Sequence, residues 1–445
     1  MNRIRVRFVF FLLLLWYAAV LPSAAEAAEL LRRIEIPSSF NPVGSGARAL
    51  GMGGAFIAVA DDATAASWNP GGLIQLERPE ISMVLEGFRR NEDIAFSGRP
   101  EAGGRESVSL GALNYLSAAY PFSFLGRNMV VSLNYQRLFD FTRQWKFDLR
   151  NDDGDFPRED RFALRQDGEL TALGLAWAAE ITPLLSAGIV VNRWDDRWTP
   201  NGWDREIAFA GAGIDGGAPF SAAYRSFETG TFRGTGVNIG LLWRLATDLT
   251  VGAVWKSPFD ADIRREIRFS GTVERTGNPE ASVTEFSMAT NETLKMPMSY
   301  GLGIAWQVTR TFRTALDIHR TEWGDFNLRD AAGRSLSPVS GKPAGESGVG
   351  PTHQVRLGAE YLHIADRFIL PLTAGVFHDP APAPGNPDDI YGFSLGTGIG
   401  FGRIHLDLAY QYRFGRKIDG HILEGRGFSR DLSEHAMFGG VVVHF

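Results

Sequence analysis

Residues 404–414, IHLDLAYQYRF, carry the pattern that decides the fold. Apolar and aromatic side chains occupy the even positions, and polar or charged side chains occupy most of the odd positions. A strand with this alternation places one face in an apolar medium and the other in a polar one. The same period of two recurs at residues 129–138, 237–245 and 249–256. The sequence therefore predicts a chain built from many amphipathic strands.

The connections between these strands indicate which face meets water. Short turns, such as residues 182–183 and 247–248, alternate with long polar connections such as residues 329–350. Trp243 and Trp255 flank one short turn on the apolar face. Short turns at one end, long loops at the other and an aromatic girdle are typical of outer-membrane barrels. We therefore predict that the apolar face contacts lipid and that the polar face lines a lumen.

The number of alternating segments predicts an all-β fold, an outer-membrane antiparallel β-barrel of about 14 strands over residues 79–445. Closing the sheet satisfies every backbone group that an open edge would leave unpaired in hydrocarbon. The last strand ends on Phe445, which resembles the signal read by barrel-assembly machinery, so we expect that machinery as a partner. The predicted strands are residues 79–91, 107–121, 128–147, 160–181, 185–199, 223–246, 249–272, 283–308, 311–327, 351–364, 368–378, 390–401, 404–416 and 433–445.

Residues 1–27 have the organisation of a secretory signal peptide. Three arginines (Arg3, Arg5 and Arg7) precede an apolar run over residues 8–21, and an A-x-A-like cleavage site follows. The apolar run is too short for a comfortable transmembrane helix. We therefore expect the mature chain in the outer membrane after signal peptide removal, in contact with lipid and lipopolysaccharide.

Composition excludes several classes of function. The 445-residue chain has no Cys, which rules out disulfides, thiolate metal sites and a lipoprotein anchor. Its formal net charge of −6 gives no indication of nucleic acid binding. Asp317, His319, His405 and Asp407 lack a matching nucleophile and a metal-ligand spacing. We therefore predict no catalytic residue, no metal site and no cofactor.

Residues 28–78 are predicted to form an N-terminal extension and a hatch inside the barrel. Their central part, residues 41–73, is rich in Gly and Ala, poor in charge and without alternation. Small residues permit backbones to approach closely. Asp61 or Asp62 is a candidate N-cap for residues 63–68, with ligand binding as the alternative.

Residues 200–221 are predicted to form a long extracellular loop with an unusual amount of apolar surface. Exposed loops rarely keep such surface without a partner, so we predict a capture site for a hydrophobic ligand. The alternative is a lid that packs against neighbouring loops. Arg356 is a candidate for holding a ligand carboxylate, or for pairing within the wall. The apolar residues of the predicted loop are Trp203, Ile207, Phe209, Ile214 and Phe220.

The chain resembles the FadL-type transporters of long-chain fatty acids and other hydrophobic compounds. The resemblance implies a monomeric barrel, occluded by a hatch, with extracellular capture, an internal site and a lateral exit. Matched residue by residue, the hatch motif comprises Arg48, Asp61, Asp62, Asn69 and Pro70, while Gly71 departs from the usual Ala. The segments that carry the resemblance are residues 46–73, 294–309, 316–327, 353–361, 370–384 and 406–414.

The expected function is passive uptake of hydrophobic small molecules, either long-chain fatty acids or aromatic hydrocarbons. The Gly-rich hatch also looks like that of PorV-type relatives, which share the fold but partner a protein secretion system. An outer-membrane secretion accessory is therefore the alternative function.

Overall fold

The computed structural model describes residues 44–151, 158–215, 217–276, 278–423 and 427–445. The predicted signal peptide and residues 28–43 lie outside the described residues, so both remain predictions. No helix among the described residues is long and apolar enough to cross a membrane.

The described residues form 20 strands of one sheet. Every pairing between them is antiparallel, as the amphipathic pattern requires of strands joined by short turns. The strands are β1 (Glu80–Phe96), β2 (Gly104–Phe124), β3 (Arg127–Asp140), β4 (Arg143–Asn151), β5 (Arg158–Thr182), β6 (Leu185–Asp195), β7 (Asn201–Asp215), β8 (Ala218–Arg244), β9 (Leu249–Lys256), β10 (Phe259–Arg275), β11 (Asn278–Met296), β12 (Ser299–Gln307), β13 (Phe312–Thr321), β14 (Asn327–Arg329), β15 (Ser335–Leu336), β16 (Thr352–Ile364), β17 (Ile369–His378), β18 (Ile390–Phe401), β19 (Ile404–Ile418) and β20 (Phe428–His444).

Fourteen of these strands close a ring, which confirms the predicted fold and strand number. Their order is β1, β2, β3, β5, β6, β8, β9, β12, β13, β16, β17, β18, β19 and β20. The last strand pairs with the first, from Glu80 with His444 to Phe96 with Phe428. The ring therefore has no free edge within the barrel.

The outward face of the ring is apolar, as predicted. Leu133 and Leu302 are 64% and 63% exposed, and other leucines, valines and isoleucines at outward positions are similarly open. Trp243 and Trp306 are also exposed beside the short turns. A monomeric soluble protein rarely exposes a continuous apolar belt of this extent to water, so the belt is the lipid-facing surface of a barrel.

Several predicted elements differ from the structure, and four differ in the number or type of element. The predicted strands over residues 128–147, 249–272 and 283–308 are each two strands, β3 with β4, β9 with β10, and β11 with β12. Pro258 lies between β9 and β10, and Pro297 lies between β11 and β12. Proline cannot donate a ladder hydrogen bond, which explains why the strands are interrupted at these two positions. The predicted loop over residues 200–221 is a hairpin of β7 and β8, whose strand alternation was hidden by its Gly and Ala content.

The additional strands extend the barrel wall beyond the ring as an open sheet. β4 pairs with the first half of β5, β7 pairs with β5 and β8, and β10 joins β8 to β11. This upper sheet lies at the end of the barrel that carries the long connections. In outer-membrane barrels the end with the long connections is the extracellular one.

Candidate functional site

The N-terminal segment, residues 44–78, lies inside the ring. It forms two short helices, α1 (Ala47–Gly51) and α2 (Ala65–Trp68), and then a 3-10 helix over Pro70–Gln75. Helix α1 contacts β18 and β19, whereas the 3-10 helix contacts β5, β6 and β8. Because these strands lie on opposite sides of the ring, the segment spans the lumen.

Inward-facing glycines of the wall provide the space for this segment. A Cβ atom on Gly375 of β17 would clash with the backbone of Met52 and Gly53. A Cβ atom on Gly188 of β6 would clash with the carbonyl of Pro70. The wall is therefore shaped to the backbone of the segment, as the small-residue composition of both partners requires. Further glycines with the same role are Gly240, Gly252, Gly303 and Gly358.

Ion pairs also attach the segment to the wall. The guanidinium of Arg48 donates to Glu360 of β16 at 2.5 and 2.8 Å and to Asp61 at 2.6 Å. Arg313 of β13 donates to the other oxygen of Asp61 at 2.9 Å. Burial alone would raise the pKa of Asp61, but the charges of Arg48 and Arg313 outweigh it and hold that pKa well below its usual value. Asp61 is therefore ionised at neutral pH.

Asp62 has a different environment from Asp61. Its carboxylate accepts hydrogen bonds from the backbone N–H and the hydroxyl of Thr64, at 2.8 and 2.5 Å. Burial raises the pKa of Asp62, and the nearby Asp61 adds to that effect although Arg48 opposes it. The N-cap position of α2 is Thr64, so the predicted capping by Asp61 or Asp62 is wrong. The helix begins two residues later than predicted.

Polar side chains complete the attachment. The carboxylate of Asp317 on β13 accepts from the backbone N–H groups of Phe56 and Ile57, at 2.6 and 2.8 Å. Asn69 donates to the carbonyls of Ile57 and of Leu241 on β8, both at 2.9 Å. Asn69 also accepts from the N–H of Gly71 and Pro70 opens the 3-10 helix, which explains the Asn-Pro pair as a local turn.

A cavity of about 90 Å³ lies within the ring. Trp194 of β6 stacks on Phe259 of β10, with ring centroids 4.7 Å apart and an interplanar angle of 14°. Phe232 of β8 meets both rings edge-on at 6.4 Å. This arrangement forms an apolar wall with room for a flat ring. We call this space the aromatic cavity, and its apolar lining comprises Leu138, Phe139, Trp194, Phe232, Phe259, Met296, Pro297 and Trp323.

The opposite wall of the aromatic cavity is polar. Gln136 donates to Asn192 at 2.9 Å, which links β3 to β6. None of the described residues that line the cavity is Asp or Glu, whereas Lys256 contributes a positive charge. The polar lining comprises Gln136, Asn192, Asn238, Lys256, Ser257, Ser299, His319, Thr321 and Gln354.

A second cavity, of about 110 Å³, shares Leu138 and Phe139 with the first. Arg90 donates to Glu434 at 2.8 Å, and Arg413 donates to Asp379 at 3.1 Å. We call this space the ionic cavity. Its charged lining comprises four arginines (Arg90, Arg137, Arg356 and Arg413) and four carboxylates (Glu86, Asp140, Asp379 and Glu434).

The structure separates the residues predicted for ligand capture. Trp203, Ile207 and Phe209 are buried on the inner face of the upper sheet. The indole of Trp203 donates to Glu228 at 2.9 Å, and the ring of Phe209 stacks on Tyr224. Only Ile214, at 39% exposure, is an exposed member of the predicted group, and Phe220 is half-buried. These side chains line the inside of a wall and do not form one exposed patch.

Arg356 lies against the N-terminal segment. Its guanidinium donates to the carbonyl of Gly53 at 2.9 Å, lies over the ring of Phe377 and is 3.6 Å from Asp379. These contacts correspond to the paired network that the sequence left open as the alternative to carboxylate binding.

One group of described residues, Asp388, Asp419 and His421, has the composition of a metal site. Asp419 is, however, ion-paired with Arg430, and its backbone N–H donates to Asp388 at 2.7 Å. A cation would compete with an existing guanidinium there, so we assign no metal to the group.

Sequence reasoning missed the aromatic residues of the internal cavity. Trp194 lies two residues after Asn192 in β6, so both side chains face the lumen. An aromatic residue on the otherwise polar face of this strand could have indicated an internal site. Phe232 and Phe259 lie outside the segments in which the alternation is clearest, residues 129–138, 237–245, 249–256 and 404–414. Lys256 and His319 alternate with apolar residues along their strands, but this alternation does not indicate that they share a cavity.

Comparison with solved structures supports the fold. The chain is similar to a FadL homologue of Pseudomonas aeruginosa (14% identity, TM-score 0.59, 90% of this chain and 98% of that one). It is also similar to the toluene transporter TodX of Pseudomonas putida (14% identity, TM-score 0.57, 92% and 100%). The toluene transporter TbuX of Ralstonia pickettii gives 13% identity, a TM-score of 0.54, and coverage of 91% and 100%.

No family model and no curated protein matches the chain. The structural likeness nevertheless extends over nine-tenths of the chain and nearly the whole of each similar structure. The chain therefore has the fold of the FadL-type outer-membrane transporters.

Proposed function

We propose that this protein is an outer-membrane transporter for the passive uptake of small hydrophobic molecules. The observation that carries the proposal is the aromatic cavity, a site with a largely apolar wall within a closed barrel. Lipopolysaccharide impedes hydrophobic solutes, and a water-filled pore disfavours them. An internal apolar site offers such a solute a favourable stage between water and membrane.

Size favours a small ligand over a long acyl chain. An engineered cavity of about 150 Å³ holds one benzene molecule, whereas the aromatic cavity has about 90 Å³. The aromatic cavity is too small for a long acyl chain, and a single ring would enter it once flexible side chains such as Met296 move aside. TodX and TbuX, which are described as toluene transporters, share the fold. We therefore infer that the ligand of this chain is also a molecule with a single ring.

A row of aromatic rings on the upper sheet supports capture from the extracellular side. Phe147 stacks on Phe162 with centroids 4.6 Å apart, and Phe269 stacks on Phe286 at 5.0 Å. Phe286 lies on β11, most of which pairs with β10 alone. We infer that flat apolar molecules first contact the rings at this edge. This replaces the exposed capture loop that was predicted from the sequence.

A side exit accounts for release, because the N-terminal segment occupies the axial path. Pairing between β2 and β3 ends at Tyr115 and Gln136. The register between β3 and β5 shifts between Arg137 and Phe139. Gln136 and Phe139 also line the aromatic cavity. We infer that the wall opens at this irregular part of β3 and that the N-terminal segment acts as the hatch.

The remaining expectations belong to the same proposal. We infer a monomer in the outer membrane, surrounded by lipid and lipopolysaccharide and inserted by barrel-assembly machinery that recognises Phe445. The similar structures are described as transporters and channels, so the secretion-accessory alternative is not favoured.

Uptake of a radiolabelled single-ring hydrocarbon by cells that produce the protein tests the proposal. Phe232→Trp adds volume to the aromatic cavity, and we expect it to reduce uptake severalfold. The control is Leu133→Phe, a similar enlargement on the lipid-facing surface, which we expect to leave uptake unchanged. Equal uptake by cells with and without the protein would overturn the proposed function.

A further inference from the structure

We infer that the preferred ligand of the aromatic cavity is a phenol, a single ring that bears one uncharged hydroxyl group. The ring packs among Trp194, Phe232 and Phe259, and the hydroxyl oxygen faces the indole nitrogen of Trp194 and the imidazole of His319. The inference rests on the proposed function, because it names the substrate class of the same site. A phenol is a hydrophobic, neutral molecule at pH 7, since an aromatic hydroxyl loses its proton only near pH 10.

Two buried nitrogen atoms of the cavity lining carry the inference. Trp194 Nε1 and His319 Nε2 have no hydrogen-bond partner among the described residues. Both residues line the aromatic cavity, and each is only 6% exposed. A buried polar atom without a partner is destabilising. Two such atoms beside an apolar wall therefore favour a ligand that brings a polar group to them.

The position of the Trp194 nitrogen follows from the packing of its ring. Trp194 stacks on Phe259, with ring centroids 4.7 Å apart and an interplanar angle of 14°. Gly234 and Gly236 of β8 leave room for this pair, because a Cβ atom on either glycine would lie within 2.9 Å of the ring of Phe259. The N–H bond of an indole lies in the plane of the ring, so the stacked neighbour does not accept from it. The stack thus leaves a fixed donor at its edge.

The imidazole of His319 is fixed by the neighbouring strands. His319 of β13 is paired with Gly301 of β12 on one side and with Gln354 of β16 on the other. A Cβ atom on Gly301 would lie 2.7 Å from Nδ1 of His319, so the Nδ1 side of the ring is packed against β12. Nε2 is therefore the nitrogen that a ligand in the cavity can reach.

A hydroxyl group matches these two nitrogen atoms. The indole N–H can only donate, so the ligand must offer an acceptor oxygen there. A neutral imidazole nitrogen either donates or accepts, depending on the tautomer, and a hydroxyl has one donor and two acceptor lone pairs for both cases. An uncharged hydroxyl also avoids the large cost of moving a charge from water into a cavity with a largely apolar wall.

The same atoms distinguish a phenol from a hydrocarbon of equal size. Phenol and toluene share the ring and differ only in a hydroxyl or a methyl group. Toluene would fill the apolar wall but would leave the nitrogens of Trp194 and His319 unpaired, and it could not replace the hydrogen bonds of any water that it displaced there. A site that hydrogen-bonds its ligand discriminates strongly against an analogue without the polar group.

Calorimetric titration of the full chain in lipid nanodiscs tests the inference, with phenol and toluene as the two probes and empty nanodiscs as the blank. We expect the wild type to bind phenol at least about tenfold more tightly than toluene at pH 7. Trp194→Phe keeps a stacking ring and removes the N–H donor. We expect this variant to weaken phenol binding about tenfold, the effect of one lost hydrogen bond to a buried group, and to leave toluene binding within about twofold.

The matched control is Trp243→Phe, the same change at a lipid-facing tryptophan outside the cavity lining. We expect it to change neither affinity. Equal or tighter binding of toluene by the wild type would overturn the phenol and leave the proposed function standing, whereas binding of neither probe would overturn both. An undiminished preference for phenol in Trp194→Phe would overturn the role of the indole nitrogen. Because the comparison of the two probes needs only the wild type, a poorly folded variant does not weaken the test.

Discussion

The two cavities inside the barrel share two side chains but differ in the balance of their charges. The ionic cavity has four arginines and four carboxylates, so its net formal charge is 4 − 4 = 0. The aromatic cavity has one lysine and no carboxylate among its described lining residues. Balanced, mutually hydrogen-bonded charges hold structural elements together. A wall of stacked aromatic rings is suited to a small apolar ligand.

Removing one arginine from the ionic cavity should have the largest effect on stability. Arg413→Met leaves the buried Asp379 and Glu434 each without one partner. We expect the free energy of unfolding, measured by urea titration, to fall by about 3–5 kcal/mol. Phe232→Trp, in the aromatic cavity, should lower it by less, about 1–3 kcal/mol. Equal losses from the two variants would contradict the division into a structural and a binding cavity.

Disturbing the contact between the N-terminal segment and the wall should have the next largest effect on stability. Gly375→Ala adds a methyl group where the backbone of Gly53 approaches, and overpacking of this kind is destabilising by about 1–3 kcal/mol. We expect faster amide hydrogen exchange in residues 47–58. The control is Gly439→Ala, since a Cβ atom there has no neighbour within 4 Å. Unchanged exchange in Gly375→Ala would show that the wall does not hold the segment.

Acidity should have a smaller effect on the same segment. Arg48 and Arg313 hold the pKa of Asp61 below its unfolded value, so its stabilising contribution is complete above about pH 4 and is lost as pH falls through the folded pKa. We expect amide exchange at residues 59–61, corrected for intrinsic rates, to accelerate as the pH falls below about pH 3. In Asp61→Asn, exchange should already be fast at pH 7, and protection equal to the wild type there would contradict this assignment.

The smallest effect is expected at the edge of the upper sheet. Phe286→Ala removes the half-buried ring at the end of the aromatic row, which stacks on Phe269. We expect a two- to threefold lower uptake rate at limiting ligand concentration and no change at saturation, because capture and not the internal site is altered. A change at saturation alone would contradict the capture surface.

The sequence predicted the ring because its signal is local. Each barrel strand alternates over about ten residues, and Ile404–Phe414 shows the pattern almost without interruption. The hatch motif was similarly visible, since its Gly, Ala and Asn-Pro residues are contiguous. Its contacts with Glu360, Arg313 and Asp317 depend on strand register, which alternation alone does not fix.

The internal site was not predictable either, because its residues come together only through the register of the strands. Trp194, Phe232, Phe259 and Trp323 are separated by 27 to 64 residues along the chain and meet only after the ring has closed. The hairpin of β7 and β8 was mistaken for a loop because Gly and Ala are weak indicators of a strand. The inward glycines were visible, but their purpose depends on which backbone lies opposite each one.

The most direct test of the account is a crystal structure of the full chain with bromobenzene, with the bromine located by anomalous scattering. We expect one bromine peak among Trp194, Phe232 and Phe259. A peak located only elsewhere, or an aromatic cavity without bromine at saturating ligand, would contradict the assignment of this cavity as the transport site.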